Sequence, residues 1–257
     1  MNRDPRSIFI TGAASGIGRE AAHRFAAEGW RVGLSDRDAQ ALHLLREELG
    51  ELVSAHEADV RDFRGLSDAI TAFSAGQDGL DVLFNCAGIL SMRDFADSDP
   101  ERLKDIVDVN VTGVINGIHA ALPWLRKGRD PHIVTMSSVS ALYGIPEEAV
   151  YSASKFAVRG LTEALNIELE RAGIWVCDVL VAYVATPMVL DAERKAKSVD
   201  ILGVSVLPRQ VADTVYAAAA GRQVHWFVTD ADSAIAAQID ATPWEARRAI
   251  VKAITGF

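Results

Sequence analysis

Tyr151 and Lys155 stand four residues apart at the start of a helical pattern, so their side chains share one face. A phenol has an ordinary pKa near 10 and accepts protons poorly at neutral pH. An ammonium about 4 Å away, at an effective dielectric near 20, favours the phenolate by roughly 4 kcal/mol, enough to lower that pKa by about three. Proton transfer then falls in its efficient range. Ser138, thirteen residues before Tyr151, follows an apolar run. Alone, such a pair is an ordinary surface pair, and Ser137-Ser138 an ordinary turn; chemistry is expected of them only beside a second motif.

That motif lies near the start of the chain, in Thr11-Gly12-Ala13-Ala14-Ser15-Gly16-Ile17-Gly18. Gly12 allows a sharp exit from a strand, and Gly16 and Gly18 allow close backbone approach to a pyrophosphate. The helix that begins here presents free N–H groups and the positive end of its dipole. Asp36 lies 24 residues beyond Gly12 at the end of the next apolar run. A carboxylate there accepts hydrogen bonds from the adenine-ribose hydroxyls of NAD and repels the 2′-phosphate of NADP. NAD is therefore the expected cofactor, with Arg37 the residue through which NADP is the alternative. Asp36 and Asp38 also read as caps of the next helix. Asp59-Val60 and Asn85-Cys86-Ala87-Gly88 follow the third and fourth apolar runs, in register with this nucleotide site.

The elements that must position these groups are strands at residues 7–11, 31–35, 52–57, 81–85, 132–136, 174–181 and 224–229. Most are near-continuous apolar runs, as in parallel strands buried on both faces. Helical patterns cover 16–28, 38–49, 63–73, 100–125, 149–172, 209–220, 233–239 and 243–254. In 100–125, Leu103, Ile106, Val107, Val111, Val114, Ile118, Leu122 and Leu125 form one apolar stripe, with Asn110 the polar exception. Asn is a poor interior helix residue, so Asn110 is either a satisfied polar kink or the holder of a water beside the lysine. The alternation predicts a single doubly wound α/β Rossmann domain, whose ligand lies beyond the carboxyl ends of the strands.

Composition narrows the function. The 257 residues are 49% hydrophobic, enough for a sizeable core, and carry a net charge of −9, which disfavours a nucleic-acid face. Two cysteines, no signal-like leader and no long apolar run predict a cytoplasmic protein without disulfides or a membrane span. No metal-ligand spacing, serine-hydrolase elbow or phosphate loop of the Walker type is present, so no metal is expected.

The strings Thr11-Gly12-x-x-x-Gly16-x-Gly18, Asp59, Asn85-x-Ala87-Gly88, Asn110, Ser138, Tyr151-x-x-x-Lys155 and Thr186 together resemble the short-chain dehydrogenase/reductase family, in its branch of roughly 250 residues, over nearly the whole chain. The resemblance implies a seven-stranded parallel sheet and a homodimer or homotetramer. It implies that Tyr151 is the acid/base, that Ser138 bonds the substrate oxygen and that Asn110 anchors a proton-relay water. Lys155 is implied to hold the nicotinamide ribose, and Thr186 to contact the carboxamide, with Ser15, Ile17, Val184 and Met188 also on the cofactor. The chain departs from the family at Cys86, where a second Asn is usual, and at Val181-Ala182, where Pro-Gly is usual.

Residues 188–208 mix apolar and charged side chains after the sixth strand and are expected to form a mobile flap over the nicotinamide. Ser140, Leu142, Tyr143, Ile145, Tyr183 and Val189, with Ile89 and Met92, are the expected substrate lining. An apolar lining points to a hydrophobic secondary alcohol or its ketone, oxidised or reduced by hydride transfer. The alternatives are an NADP-dependent carbonyl reductase and a non-catalytic nucleotide-binding scaffold or redox sensor.

Overall fold

Ile8 and Ile10 face one hydrophobic core and Phe9, between them, faces another, so the first strand is buried on both sides. The computed structural model describes residues 5–257. Its strands are β1 (Ser7–Thr11), β2 (Arg31–Asp36), β3 (Val53–Glu57), β4 (Val82–Asn85), β5 (His132–Met136), β6 (Trp175–Leu180) and β7 (His225–Phe227). They form one parallel sheet in the order β3-β2-β1-β4-β5-β6-β7. The order reverses between β1 and β4, which opens a crevice at their carboxyl ends.

The helices are α1 (Gly16–Ala27), α2 (Ala39–Leu49), α3 (Phe63–Ser74), α4 (Pro100–Val107), α5 (Gly113–Leu125), α6 (Ala149–Glu168), α7 (Pro187–Leu190), α8 (Lys197–Leu202), α9 (Pro208–Ala218), α10 (Asp230–Ala241) and α11 (Trp244–Thr255). Phe25 of α1, Leu42 of α2 and Val211 of α9 join the core on one face of the sheet. Ile70 of α3, Ile118 of α5 and Val158 of α6 join the core on the other. The starts follow from side-chain caps: Asp38 accepts from the Ala41 N–H, Asp62 from Arg64 and Asp99 from Glu101. Among the described residues no helix is long and apolar enough to cross a membrane.

The predicted helix over 100–125 is helical throughout but not uniform. Asp108–Thr112, between α4 and α5, is wound as a π-turn. The extra residue in that turn rotates the apolar stripe. Val107, expected in the stripe, is 40% exposed, and Asn110 is 0% exposed. The last strand is also shorter than expected, because Thr229 caps α10 and ends the extended run.

Asp81 fixes where β1, β4 and the turn before β5 meet. Its Oδ2 accepts from the Ser7 N–H at 2.8 Å and its Oδ1 from the Arg129 N–H at 2.8 Å. Asp81→Ala strands both donors, and removal of such an acceptor costs about 2–4 kcal/mol. The expected outcome is a lower urea midpoint than that of an exposed-site control; equal midpoints would refute this role.

Candidate active site

The turn from β1 into α1 fits only glycine at two points. Gly12 has φ +69°, and a Cβ there would lie 2.7 Å from the Ala87 backbone. A Cβ on Gly18 would collide with the Gly12 carbonyl. Thr11 Oγ1 accepts from the N–H groups of Cys86 and Ala87 at 3.1 and 3.3 Å, drawing the exit of β4 against the same turn. No side chain caps α1 and its first turn holds no acidic residue, so its N–H groups are left for an anion. These features fit a dinucleotide pyrophosphate.

One cleft of about 350 Å³ runs from this turn along the strand ends. Gly12, Ser15, Gly16, Ile17, Gly18, Asp36, Arg37, Asp59, Val60, Ala87, Gly88, Val184, Thr186 and Met188 line it, as expected of cofactor contacts. Asp36 does two things there. It lines the cleft, and its Oδ2 accepts from the Ala14 N–H at 3.1 Å, bracing the glycine turn. Hydrogen bonds from Arg61, one of them at 2.6 Å, hold Asp59 below the usual carboxylate range.

At the other end stand Ser138, Tyr151 and Lys155. Ser138 follows β5 and accepts from the Ser140 N–H at 3.1 Å, which orients its hydroxyl. Tyr151 and Lys155 lie in the first two turns of α6, with the Lys155 ammonium 5.5 Å from the phenol ring centroid. Lys155 is 5% exposed and donates to the Met136 carbonyl at 2.8 Å. Burial depresses its pKa to about 8. The phenol does not follow the expectation from spacing. Burial pushes it up, the Glu148 carboxylate adds to that, and a hydrogen bond with Ser138 opposes them. The lysine shares the same dry environment and is turned to a carbonyl, so the chain's own groups leave Tyr151 a weak acid.

Five expected residues do not line the cleft. Asn85 is buried behind it, with its Nδ2 3.5 Å from Thr135 Oγ1. The Asn110 amide is used within the protein: Oδ1 accepts from Ile89 N–H at 2.8 Å, and Nδ2 donates to Ile89 O and Ser154 Oγ. That is the satisfied polar kink; its side chain is not free to anchor a water. Leu142 and Tyr143 turn away to pack with α10 and α11, beside Ile239 and Val251. Ser140, Ile145, Tyr183, Val189 and Ile89 do line it, whereas Met92 packs with Val189, Ala196 and Val199 and accepts from Ala196 N–H. Residues 188–208 are tied down in this structure by Arg194 to Asp94 and Glu147, and by Lys197 N–H to Glu147.

The sequence reading missed Glu148, Ser198 and Arg61 as lining residues, and Cys86, which stood in the string after the fourth strand, lines the cleft too. Cys86 is an inert thiol, pushed up to about 12 by burial. Glu148 is 2% exposed and its hydrogen-bond donor is Tyr183, at 2.6 Å. Burial raises its pKa from an ordinary 4.5 to about 7. Two acidic residues ahead of a helix read as favourable first-turn charges, so nothing in the pattern marked one of them as buried.

Below pH 4.5 the Glu148 carboxyl is protonated whether the chain is folded or not. Above it, ionisation favours the unfolded chain, and the penalty grows until the pH passes about 7. Its full size is about 3 kcal/mol. Glu148→Gln is therefore expected to be more stable than the parent at pH 8 and no different at pH 4.5. Urea unfolding at the two pH values checks this; a gap independent of pH would contradict it.

A family model described as short chain dehydrogenase matches residues 6–197. Oxidoreductase UcpA of Salmonella typhimurium is 35% identical over 199 residues, 76% of this chain and 75% of that protein. Cyclopentanol dehydrogenase of Comamonas sp. is 34% identical over 218 residues, 81% of this chain and 87% of that protein. The crystal structure of a short chain dehydrogenase/reductase from Burkholderia phymatum in complex with NAD superposes with a TM-score of 0.82 at 27% identity, covering 91% of this chain and 92% of that one. With a nucleotide crevice at one end of its cleft and Ser138, Tyr151 and Lys155 at the other, the chain belongs to the short-chain dehydrogenase/reductase family of oxidoreductases.

Proposed function

We propose that the protein is an NAD(H)-dependent oxidoreductase interconverting a hydrophobic secondary alcohol and its ketone, with one domain carrying both nucleotide and substrate. The observation that carries this reading is the convergence of Ser138, Tyr151 and Lys155 on one end of a cleft whose other end is the glycine turn and Asp36. The NAD-bound structure and the cyclopentanol dehydrogenase described above support the same chemistry.

The glycine turn, Asp36, Lys155 and Thr186 would hold a nicotinamide cofactor, which would supply the hydride acceptor or donor. Ser138 Oγ and Tyr151 Oη hold the substrate oxygen between them. In oxidation Tyr151 takes the hydroxyl proton; in reduction it returns one. Lys155, with its ammonium fixed by Met136, holds the ribose and stabilises the phenolate as it forms. Asn110 is a positioning residue that ties the Ile89 loop and the π-turn to α6 through Ser154. Ile145, Tyr183 and Val189 keep bulk water from the reacting carbon. Exposed Val107, Ile115, Phe156 and Ile167 on α4, α5 and α6 provide apolar area for a homodimer or homotetramer.

Tyr151→Phe is expected to lower kcat by about 10²–10⁴, the usual worth of a general acid/base, with NADH binding by fluorescence retained. Unchanged turnover would remove this mechanism.

Cofactor choice rests on Asp36. Arg37 lines the same end and its charge reaches Asp59, which is the observation behind the NADP-dependent alternative. Comparison of kcat/KM for NAD and NADP is expected to favour NAD. Asp36→Ser is expected to move that ratio toward NADP by about a hundredfold, a screened fraction of the Coulomb term. Because Asp36 also braces Ala14, both cofactors weaken and the ratio is the quantity to read. A parent enzyme that prefers NADP, and loses it in Arg37→Ala, would establish the alternative.

A further inference from the structure

Glu148 is a buried ionisable side chain of the cleft that the reaction above leaves without a task. It lines the same cleft as Ser138 and Tyr151, and its charge reaches the phenol. Among the described residues its carboxylate accepts from Tyr183 alone, through Oε1, and the Tyr183 hydroxyl lies 2.7 Å from Ser198 Oγ. The three residues come from three places: the approach to α6, the exit of β6 and the flap helix α8. Among the described residues no cation is paired with this carboxylate. Arg194, on the flap, is taken by Glu147 and Asp94, and the Lys155 ammonium is turned to Met136. Val139, Ile145, Val189 and Leu202 add apolar side chains to the same cleft. A carboxylate kept dry, oriented by the Tyr183 hydroxyl that Ser198 in turn holds, and lacking a cation has one oxygen left for a donor that the described residues do not supply.

We propose that Glu148, oriented by Tyr183 and Ser198, is a specificity-determining residue that takes a hydrogen-bond donor, an O–H or N–H, carried by the substrate away from its reacting carbon. The same carboxylate turns away substrates with an anionic group at that position. This rests on the alcohol–ketone reading and narrows it from any hydrophobic alcohol to one bearing a second, donating polar group. Discrimination of this kind is strong because a substrate without the donor leaves the buried acceptor unpaired.

The test uses ring ketones of one size with NADH: cyclohexanone, 4-hydroxycyclohexanone, 4-aminocyclohexanone and 4-oxocyclohexanecarboxylate. In the parent protein, kcat/KM for the hydroxy and amino ketones is expected to exceed that for cyclohexanone at least tenfold, mainly through KM, and the carboxylate to be the poorest. In Glu148→Ala the ratio of hydroxy ketone to cyclohexanone is expected to fall close to one. In Glu148→Gln, whose amide oxygen still accepts, the hydroxy ketone keeps its advantage while the carboxylate gains at least tenfold relative to cyclohexanone. Equal kcat/KM for all four ketones in the parent, or ratios that Glu148→Ala leaves unchanged, would overturn the proposal. Binding of cyclohexanol, 4-aminocyclohexanol and 4-hydroxycyclohexanecarboxylate to the NADH-loaded protein, followed by NADH fluorescence, reports the same order without turnover. That order with no reduction of any ketone overturns only the reaction reading. No preference for the amino compound overturns the role of Glu148 whether or not turnover occurs.

Discussion

Exclusion of water from the phenol of Tyr151 sets the direction of the main charge effects around it. Desolvation disfavours the charged form of any group, whatever its sign. It raises the phenol, depresses the Lys155 ammonium to about 8 and raises the Glu148 carboxyl to about 7. Three groups of different ordinary pKa are thereby brought toward their neutral forms in one cleft. A charge introduced with a ligand then meets little competing charge, and its effect on the phenol is large. The i, i+4 spacing alone predicts an acidic phenol because it treats the ammonium as a point charge in a uniform medium. In the folded chain that ammonium is itself buried and bonded to Met136, so the pair's environment outweighs its separation.

The sheet provides this dryness at its carboxyl edge. Strands buried on both faces leave only their ends for polar groups, and each end delivers one part: the glycine turn after β1, Asp36 at the end of β2, Asp59 after β3, Ser138 after β5. The parts also support one another. Asp36 shapes the turn that it sits beside, and Thr11 ties that turn to Ala87. The exit of β6 lacks the Pro-Gly usual in related chains, yet it is held. Val139 N–H donates to the Val181 carbonyl, and Ala182 N–H donates to the Asp232 carboxylate in the first turn of α10. The C-terminal helices thus supply the restraint that a proline's fixed φ would otherwise give.

What was legible in the sequence was what local physics alone decides. Runs such as Ile8-Phe9-Ile10 and Val82-Leu83-Phe84 have one stable use, as strands covered on both sides, and the chain order of Gly12 and Asp36 then fixes the nucleotide end. The π-turn was not legible, because an i, i+3, i+4 pattern assumes uniform winding; Asn110 was its only trace, and it reads equally as a kink or a ligand. Leu142 and Tyr143 were misplaced because they follow Ser138 closely, while their direction is decided by α10 and α11, far along the chain. Glu148 was hidden for a similar reason: its burial depends on Tyr183 and Ser198, which only the folded chain brings to it.

The two consecutive glutamates before α6 show how one turn serves both flap and cleft. Glu147 has φ +64°, a left-handed conformation that favours glycine. Glycine there would remove the strain, but it would also remove the carboxylate that accepts from Arg194 and from the Lys197 N–H. The strain is therefore retained for an anchor on the flap. The left-handed step sends the next side chain the other way, so Glu148 enters the cleft while Glu147 faces Arg194. One carboxylate is paired with Arg194, and the other has no cation among the described residues. The left-handed residue 147 thus joins the anchor of Arg194 and Lys197 directly to the residue that carries a carboxylate into the cleft.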